Sequence, residues 1–457
     1  MNCGYVVRVE NLRPHSNADK LQVLTVFDSD TCVSLDVKVG DLGIYFPSGL
    51  QLSEMFCEQN HLCRTKADGT PDTGYMEWSK RNIKTIRLRG EYSDGIYLPI
   101  SCLEYTGIDI STLEPGTLII AVNGCPICEK YIPKSKEPCD SAVKSVNKTR
   151  KKKVPVAPLF KEHADTEQLA YNLAAFRPGD LIEITLKLHG TSGRTAYVPT
   201  LQGYKRTLWD KLTKREGTPI YEYGYVSGTR RTVLDGYDGG FYGSNAFREP
   251  HSKFFEGKLQ KGEEVYYEIV GFTDGGRPIM GSCATPKDAQ KEYGKEMVFS
   301  YGCSPVFSAT VIDTADNFAE YVPTGPQSDI YVYRMTLTNE DGFVVEYTPD
   351  FMRYRCEQMG VKTVPVMWKG YIPENPATSS DLTAEPGDWV KAVAERFYDG
   401  PDPIGKTHIR EGVVVRIINR PGFKAFKHKN LIFKEATGIA VENVDPNSVD
   451  ADILAEM

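Results

Sequence analysis

The chain has 457 residues, 40% hydrophobic and 25% charged, with a formal net charge of −7. This composition suits two or three soluble domains and excludes a uniformly basic coat, though not a local basic groove. No apolar run approaches membrane-spanning length and Met1 to Lys20 lack a signal-peptide core. Eleven scattered cysteines suit reduced thiols in a cytoplasmic protein. From Tyr5 to Asn123 the chain reads as short alternating runs, among them Val6–Val9, Leu21–Phe27, Leu42–Phe46 and Lys84–Arg89, broken by turn signals. Such spacing predicts a small β-barrel. Alternation puts Arg87 and Arg89 on the face opposite Ile86 and Leu88. Cys57, His61 and Cys63 are expected as buried small side chains. Cys125-Pro126-Ile127-Cys128 has the spacing of half a zinc site; with no second pair and only Cys139 nearby, two free thiols are expected.

Residues 130–159 read as a linker, with Pro133, Pro138, Pro155, Pro158 and the basic run Lys148 to Lys153. Beyond it, Leu181 to Leu186 alternate apolar and polar, the period of a half-buried strand. Lys187 then falls on the polar face with Glu183 and Thr185, ahead of the small-residue turn Gly190 to Gly193. A lysine held at a strand end and opened to a cleft can act as a covalent nucleophile once its ammonium loses a proton. On these residues alone, a surface lysine is the commoner alternative.

Further along, Tyr237–Phe247 and Gly275–Gly281 are glycine-rich and read as loops over a cleft. Val265-Tyr266-Tyr267-Glu268-Ile269-Val270-Gly271 is an apolar strand with one carboxylate in it, costly unless it meets hydrogen-bond donors. Phe351 to Phe397 has mixed helical character and reads as an insertion. Arg410-Glu411-Gly412-Val413-Val414-Val415-Arg416 predicts a buried β-branched strand with Glu411 at its mouth. In Phe426-Lys427-His428-Lys429, alternation places Lys427 and Lys429 on one face.

In order, these fragments resemble the motifs of the covalent nucleotidyltransferase superfamily, which includes ATP-dependent RNA and DNA ligases and mRNA capping enzymes. Lys187-Leu188-His189-Gly190-Thr191 is similar to motif I, its histidine resembling the RNA ligase branch; Ser227-Gly228-Thr229-Arg230-Arg231 is similar to motif Ia. The Glu268, Glu411 and Lys427–Lys429 strands resemble motifs III, IV and V. Ile330-Tyr331-Val332-Tyr333-Arg334 resembles motif IIIa, although the family more often carries aspartate where Arg334 stands.

The resemblance implies Lys187 as nucleophile, with Arg230 (or Arg231), Lys427, Lys429 and Arg416 on phosphate. It implies Glu268 on the ribose and Tyr333 (or Tyr301) stacked on adenine. Leu188, His189, Gly190 and Ser192 line the nucleotide, and Glu411 holds Mg2+ or Mn2+. The segment His163–Leu169 is similar to the stretch that packs beside the nucleotide in such ligases.

His15 to Leu21 resembles the entry of tRNA-binding OB folds, and Ile86 to Ile96 the OB domain that precedes the catalytic domain in one RNA ligase subgroup. There Arg87 and Arg89 serve as an RNA contact or as a solvated polar face. Only Asn430 to Met457 follow Lys429, too short for the C-terminal OB domain of capping enzymes and DNA ligases. The expected architecture is α+β. Residues 1–125 form an OB-type barrel that binds RNA, 126–158 a basic linker and 159–457 an antiparallel-sheet nucleotidyltransferase domain. The expected activity is a monomeric, ATP-dependent RNA ligase that joins RNA ends in repair, nicked duplexes among them. The alternatives are a DNA ligase, an mRNA guanylyltransferase, or an OB-fold RNA-binding protein without catalysis.

Overall fold

In the computed structural model the described residues are 3–27, 29–131 and 156–434, apart from 165, 208, 210–216, 235, 238–244, 272, 274–278, 280–308, 314–318, 324–327, 379–382 and 405–408. They fall into two compact units: 3–131 with 431–434, and 156–430. After Asn430 the chain therefore counts again with its N-terminal portion. No described helix is long and apolar enough to cross a membrane.

The first unit is mainly strand, as its alternation requires. Leu118–Ile119, Gly4–Arg8, Leu42–Phe46 and Ile96–Pro99 form one antiparallel sheet in that order. Asn11–Pro14, Leu21–Val26 and Ser29–Ser34 form a three-stranded meander, and Thr85–Leu88 pairs with Glu91–Asp94. Among the described residues these are separate small sheets, and the expected closed barrel is not found. The core gathers Ile44, Phe46, Leu52, Phe56, Leu103 and Ile127. Cys57, Cys63 and Cys128 pack into it, and Cys128 Sγ donates to the Ile119 carbonyl at 3.2 Å.

The Ile86 to Arg89 stretch departs from its expected faces. Thr85 is buried against Asp94 and Ile86 is 38% exposed, because the hydroxyl has a carboxylate to meet inside. Arg89 leaves the strand for the following turn, with φ +46. Asp94 is buried and accepts from Ser48 Oγ, Thr85 Oγ1 and Lys434 Nζ, each at 2.6 Å.

The second unit contains two larger sheets. One runs Glu167–Gln168, Lys424–Lys429, Gly412–Ile417, Leu181–Leu186, Val366–Tyr371. The other runs Thr218–Gly228, Thr191–Lys205, Glu263–Gly271, Ser328–Thr338, Val344–Glu346, with Lys362–Thr363 beside Ser328–Thr338. Antiparallel pairing dominates, as expected. Ile182, Ile184, Val413, Val415, Ile417 and Phe426 turn one face of the first sheet onto Val390 and Val393 of the helix Pro386–Glu395. Period-two alternation sends Glu183, Thr185, Val414, Arg416 and Lys427 to the opposite face. Two hydrophobic faces thus fix where the polar groups go.

The stretch expected as an insertion is partly integral. It holds the helix Pro349–Met359, capped by Thr348 with Pro349 at its start and left-handed Gly360 at its end. It also holds Val366–Tyr371, which pairs along the Leu181–Leu186 strand. Val366-Met367-Trp368-Lys369-Gly370-Tyr371 has no clean alternation, so its place at the sheet edge was hidden.

Candidate active site

Leu181–Leu186 ends where predicted, and Lys187 continues the ladder by donating its backbone N–H to Gly412 O at 3.0 Å. Gly412 has φ +146, and a Cβ there would lie 2.1 Å from His428 O, so only glycine lets the two strands approach. Gly190 answers a similar need. A Cβ there would meet Ile269 O at 2.3 Å, and its absence lets the turn after Lys187 lie on the Glu263–Gly271 strand.

These close approaches bring three groups onto one carboxylate. Lys187 Nζ lies 2.9 Å and Lys429 Nζ 3.0 Å from the same oxygen, Glu411 Oε1, with His189 Nδ1 3.5 Å from Oε2. The side chains are 12%, 8% and 4% exposed for Lys187, Lys429 and Glu411, so the cluster is largely out of water. Burial works against the Glu411 charge, but Lys187, Lys429 and the His189 hydrogen bond outweigh it and hold the carboxyl well below its usual range. Two lysines thus converge on one carboxylate in low-dielectric surroundings. Lys427 pairs in register with Val414, two residues from Lys429 and on the same strand face.

Across from this cluster, Ser192 pairs with Glu268, and Ser192 Oγ lies 3.5 Å from Glu268 Oε2. Burial pushes Glu268 up to about 7, against the opposing pull of Lys187, Arg230 and Arg248 and with the help of Glu411. Arg230 is buried and contributes to the field at Glu268, whereas Arg231 is exposed. Of Arg230 and Arg231, it is Arg230 that acts on Glu268.

Tyr333 owes its direction to a bulge. Tyr266 faces Arg334 and Tyr267 faces Val332, which leaves Tyr333 as the extra residue. A bulge re-aims side chains, and here Tyr333 and Arg334 both reach His163. The Tyr333 and His163 ring centroids are 5.2 Å apart, and Arg334 Nη1 donates to His163 Nδ1 at 3.2 Å. Burial pushes the Tyr333 phenol up, with Glu268 adding to it, and the ring also packs near Leu186 and Leu188. Tyr301 lies outside the described residues.

Arg334, the residue after Tyr333, finds its carboxylate partner on another strand. Glu346, on the Val344–Glu346 strand, accepts from Arg334 at 2.9–3.1 Å and from Arg416 Nη2 at 2.9 Å. Arg416 also donates to Tyr347 O at 3.1 Å, so its guanidinium is engaged here rather than at the Glu411 cluster. Phe423 lies under both guanidiniums, and the surrounding pocket has a volume of about 440 Å³. His163 is held well below its ordinary value by burial and by Arg334, Arg230 and Arg194, which makes it a neutral imidazole.

Lys187, His189, Lys429 and Glu411 thus meet directly, and Ser192, Glu268, Arg230 and Tyr333 form a second group linked to them electrostatically. Leu188 is buried with Leu186, Val270 and Tyr331 under the turn. Sequence reasoning gave no role to Glu346 or Arg248. Glu346 ends the Gly342-Phe343-Val344-Val345-Glu346 stretch and Arg248 stands alone in Asn245-Ala246-Phe247-Arg248, with no motif to mark either.

No protein-family model matches the chain, and no curated protein matches it. Solved structures do. An apo mutant of Naegleria gruberi RNA ligase aligns with TM-score 0.54 at 15% identity, covering 95% of this chain and 98% of that one. A mutant with ATP and Mn gives TM-score 0.54 at 16% identity over 95% and 99%. Another with AMP and Mn gives TM-score 0.51 at 13% identity over 95% and 98%. The chain shares their fold. At such identity the likeness covers nearly the whole of both chains yet carries no residue roles with it.

Proposed function

We propose that the protein is an ATP-dependent RNA ligase that works through a lysyl-AMP. The observation that carries this reading is the convergence of Lys187 and Lys429 on one buried oxygen of Glu411, a seat for polyphosphate beside a nucleophile. The whole-chain likeness to RNA ligase structures, among them ones holding ATP, AMP or pyrophosphate, supports it.

In the first step Lys187 Nζ, as the free amine, attacks the α-phosphorus of ATP. A P–N bond forms, the bond to the β-phosphate oxygen breaks and pyrophosphate leaves. Lys429, Lys427 and Arg230 neutralise charge that grows on the phosphoryl oxygens, which is where preorganised cations lower a barrier most. Glu268 and Ser192 meet the ribose hydroxyls, and Tyr333 lies along the base. The AMP then passes to the 5′-phosphate of an RNA end, and a 3′-hydroxyl displaces it.

Glu411 fits a divalent cation. It is an ionised carboxylate beside the proposed polyphosphate seat, and Mg2+ or Mn2+ commonly takes one or two carboxylates with water and substrate phosphate. Among the described residues no three His, Cys, Asp or Glu side chains gather as a closed metal site. Such an ion, when bound, supplies Lewis-acid stabilisation of the phosphoryl charge. We assign RNA binding to the N-terminal unit as an OB-type module, and repair of broken RNA as the purpose.

The experiment is incubation of the protein with labelled ATP or GTP and Mg2+, then sealing assays on nicked RNA duplexes, single-stranded RNA and nicked DNA. ATP labelling with RNA sealing is expected. Preference for GTP would make it a guanylyltransferase, and sealing of DNA alone a DNA ligase. Absence of any covalent nucleotide would leave only a binding protein.

A further inference from the structure

Arg248 lies outside every motif of the sequence, yet it is among the most buried large side chains, 2% exposed. The turn Ala246–Arg248 carries it, just ahead of the short helix Glu249–Lys253. Its guanidinium donates through Nη1 to Ser192 O at 2.9 Å, through Nη2 to Thr191 Oγ1 at 2.7 Å and through Nε to Asn245 Oδ1 at 3.2 Å. Thr191 and Ser192 open the strand that follows the Lys187 turn, and Ser192 is the residue paired with Glu268.

Burying a guanidinium is costly, and a well-packed apolar side chain would usually serve packing as well or better. A fully buried arginine with two donors spread across two successive residues therefore has a more specific task. The planar fork fixes both acceptors at once, which a lysine cannot do. Arg248 is also one of three positive charges that oppose the effect of burial at Glu268, after Lys187 and Arg230.

We infer that Arg248 is a positioning residue for nucleotide recognition. By gripping Thr191 and Ser192 it sets the Ser192 hydroxyl against the Glu268 carboxylate, so that the pair meets the sugar in one orientation. Arg248 thereby governs selection for the ribose rather than the phosphoryl chemistry at Lys187. This rests on the reading of Glu268 as the ribose acceptor.

The test measures lysyl-AMP formation by the full-length protein with ATP, 2′-deoxy-ATP and 3′-deoxy-ATP. It compares wild type, Glu268→Gln, Arg248→Met, Arg248→Lys, Asn245→Ala and the Arg248→Met/Glu268→Gln pair. Arg248→Met is expected to raise the KM for ATP about tenfold, the scale of one hydrogen bond to a charged group, with a smaller change in kcat. Its preference for ATP over the deoxy analogues should narrow by a similar factor, and Arg248→Lys should fall between. The double variant should lose no more discrimination than Glu268→Gln alone, because the arginine acts through that carboxylate.

A folded Arg248→Met protein with wild-type sugar discrimination would overturn the proposal, as would losses that multiply in the double variant. Should Arg248→Met fail to fold, Asn245→Ala removes only the Nε acceptor, and unchanged discrimination there would overturn it equally. Wild type that reacts with ATP but shows no sugar preference would overturn the Glu268–Ser192 assignment, leaving the ligase reading standing. Wild type that forms no lysyl-AMP with any of the three would instead defeat the ligase reading itself.

Discussion

Each unit buries a carboxylate against lysine, and the two cases differ in charge balance. Asp94 in the first unit meets one lysine, Lys434, and the hydroxyls of Ser48 and Thr85. Here one lysine and neutral hydroxyls, Ser29 Oγ at 3.5 Å among them, surround the carboxylate. Burial works against the Asp94 charge, yet Lys434 and the two hydroxyls still hold it below its ordinary value. Glu411 in the second unit meets two lysines and a histidine, so the basic groups converge on a single carboxylate. The second gathers more basic groups on one carboxylate, and on the proposed function it is the one that receives the phosphates of ATP.

The sharpest way to break this contrast is to remove the lysine amines of the second unit. Lys187→Ala should abolish covalent AMP while the protein stays folded, because Lys429 still pairs with Glu411; gel analysis of denatured protein after reaction with labelled ATP reads the outcome. Next in size, Lys427→Ala and Lys429→Ala should each slow lysyl-AMP formation by about two to three powers of ten, the usual cost of a group that meets transition-state charge. Single-turnover kinetics check this, and near wild-type rates for both would take their strand out of the site.

Asp94→Ala should behave in the opposite sense. Removing one partner of a buried ion pair destabilises by about 3–5 kcal/mol, so denaturant unfolding of the first unit should shift strongly. At temperatures where that variant is folded, labelling of Lys187 should persist. A loss of labelling as large as that of Lys429→Ala would erase the distinction between the two carboxylates.

The smallest expected effect concerns pH. Burial raises Glu268 in the folded protein to about 7, so its contribution to stability is fully present below its unfolded pKa and is lost as pH rises through 7. Glu268→Gln should therefore raise Tm relative to wild type at pH 8 and leave it nearly unchanged at pH 4.5. Glu264 is also raised to about 7 by burial, but it is common to both proteins and drops out of the difference. Equal Tm differences at the two pH values would contradict a Glu268 that burial raises in the folded protein. A more stable variant that handles ATP worse is the expected trade of a functional carboxylate.

The motif strands were legible because their periodicity is clean. Ile182, Ile184 and Leu186 must face the core, so Lys187 has one side left to it. The same logic placed Lys427 beside Lys429 and Glu411 at a strand mouth. Legibility failed where another residue overrode alternation. Thr85 turned inward for Asp94 and sent Ile86 out, and the bulge at Tyr333 brought Arg334 to the side of His163. Alternation also says nothing of partners distant in sequence. Glu346, which neutralises Arg334 and Arg416, and Arg248, which grips Thr191 and Ser192, come from segments without motif or marked periodicity. The Val366–Tyr371 edge strand escaped for the same reason.

The most direct test of the central claim is peptide mapping by mass spectrometry of the full-length protein after incubation with ATP and Mg2+. AMP is expected on the peptide that contains Lys187, joined through a bond labile to acid, and discharged when pyrophosphate is added. AMP on any other residue, or none at all from a folded protein under these conditions, would contradict it.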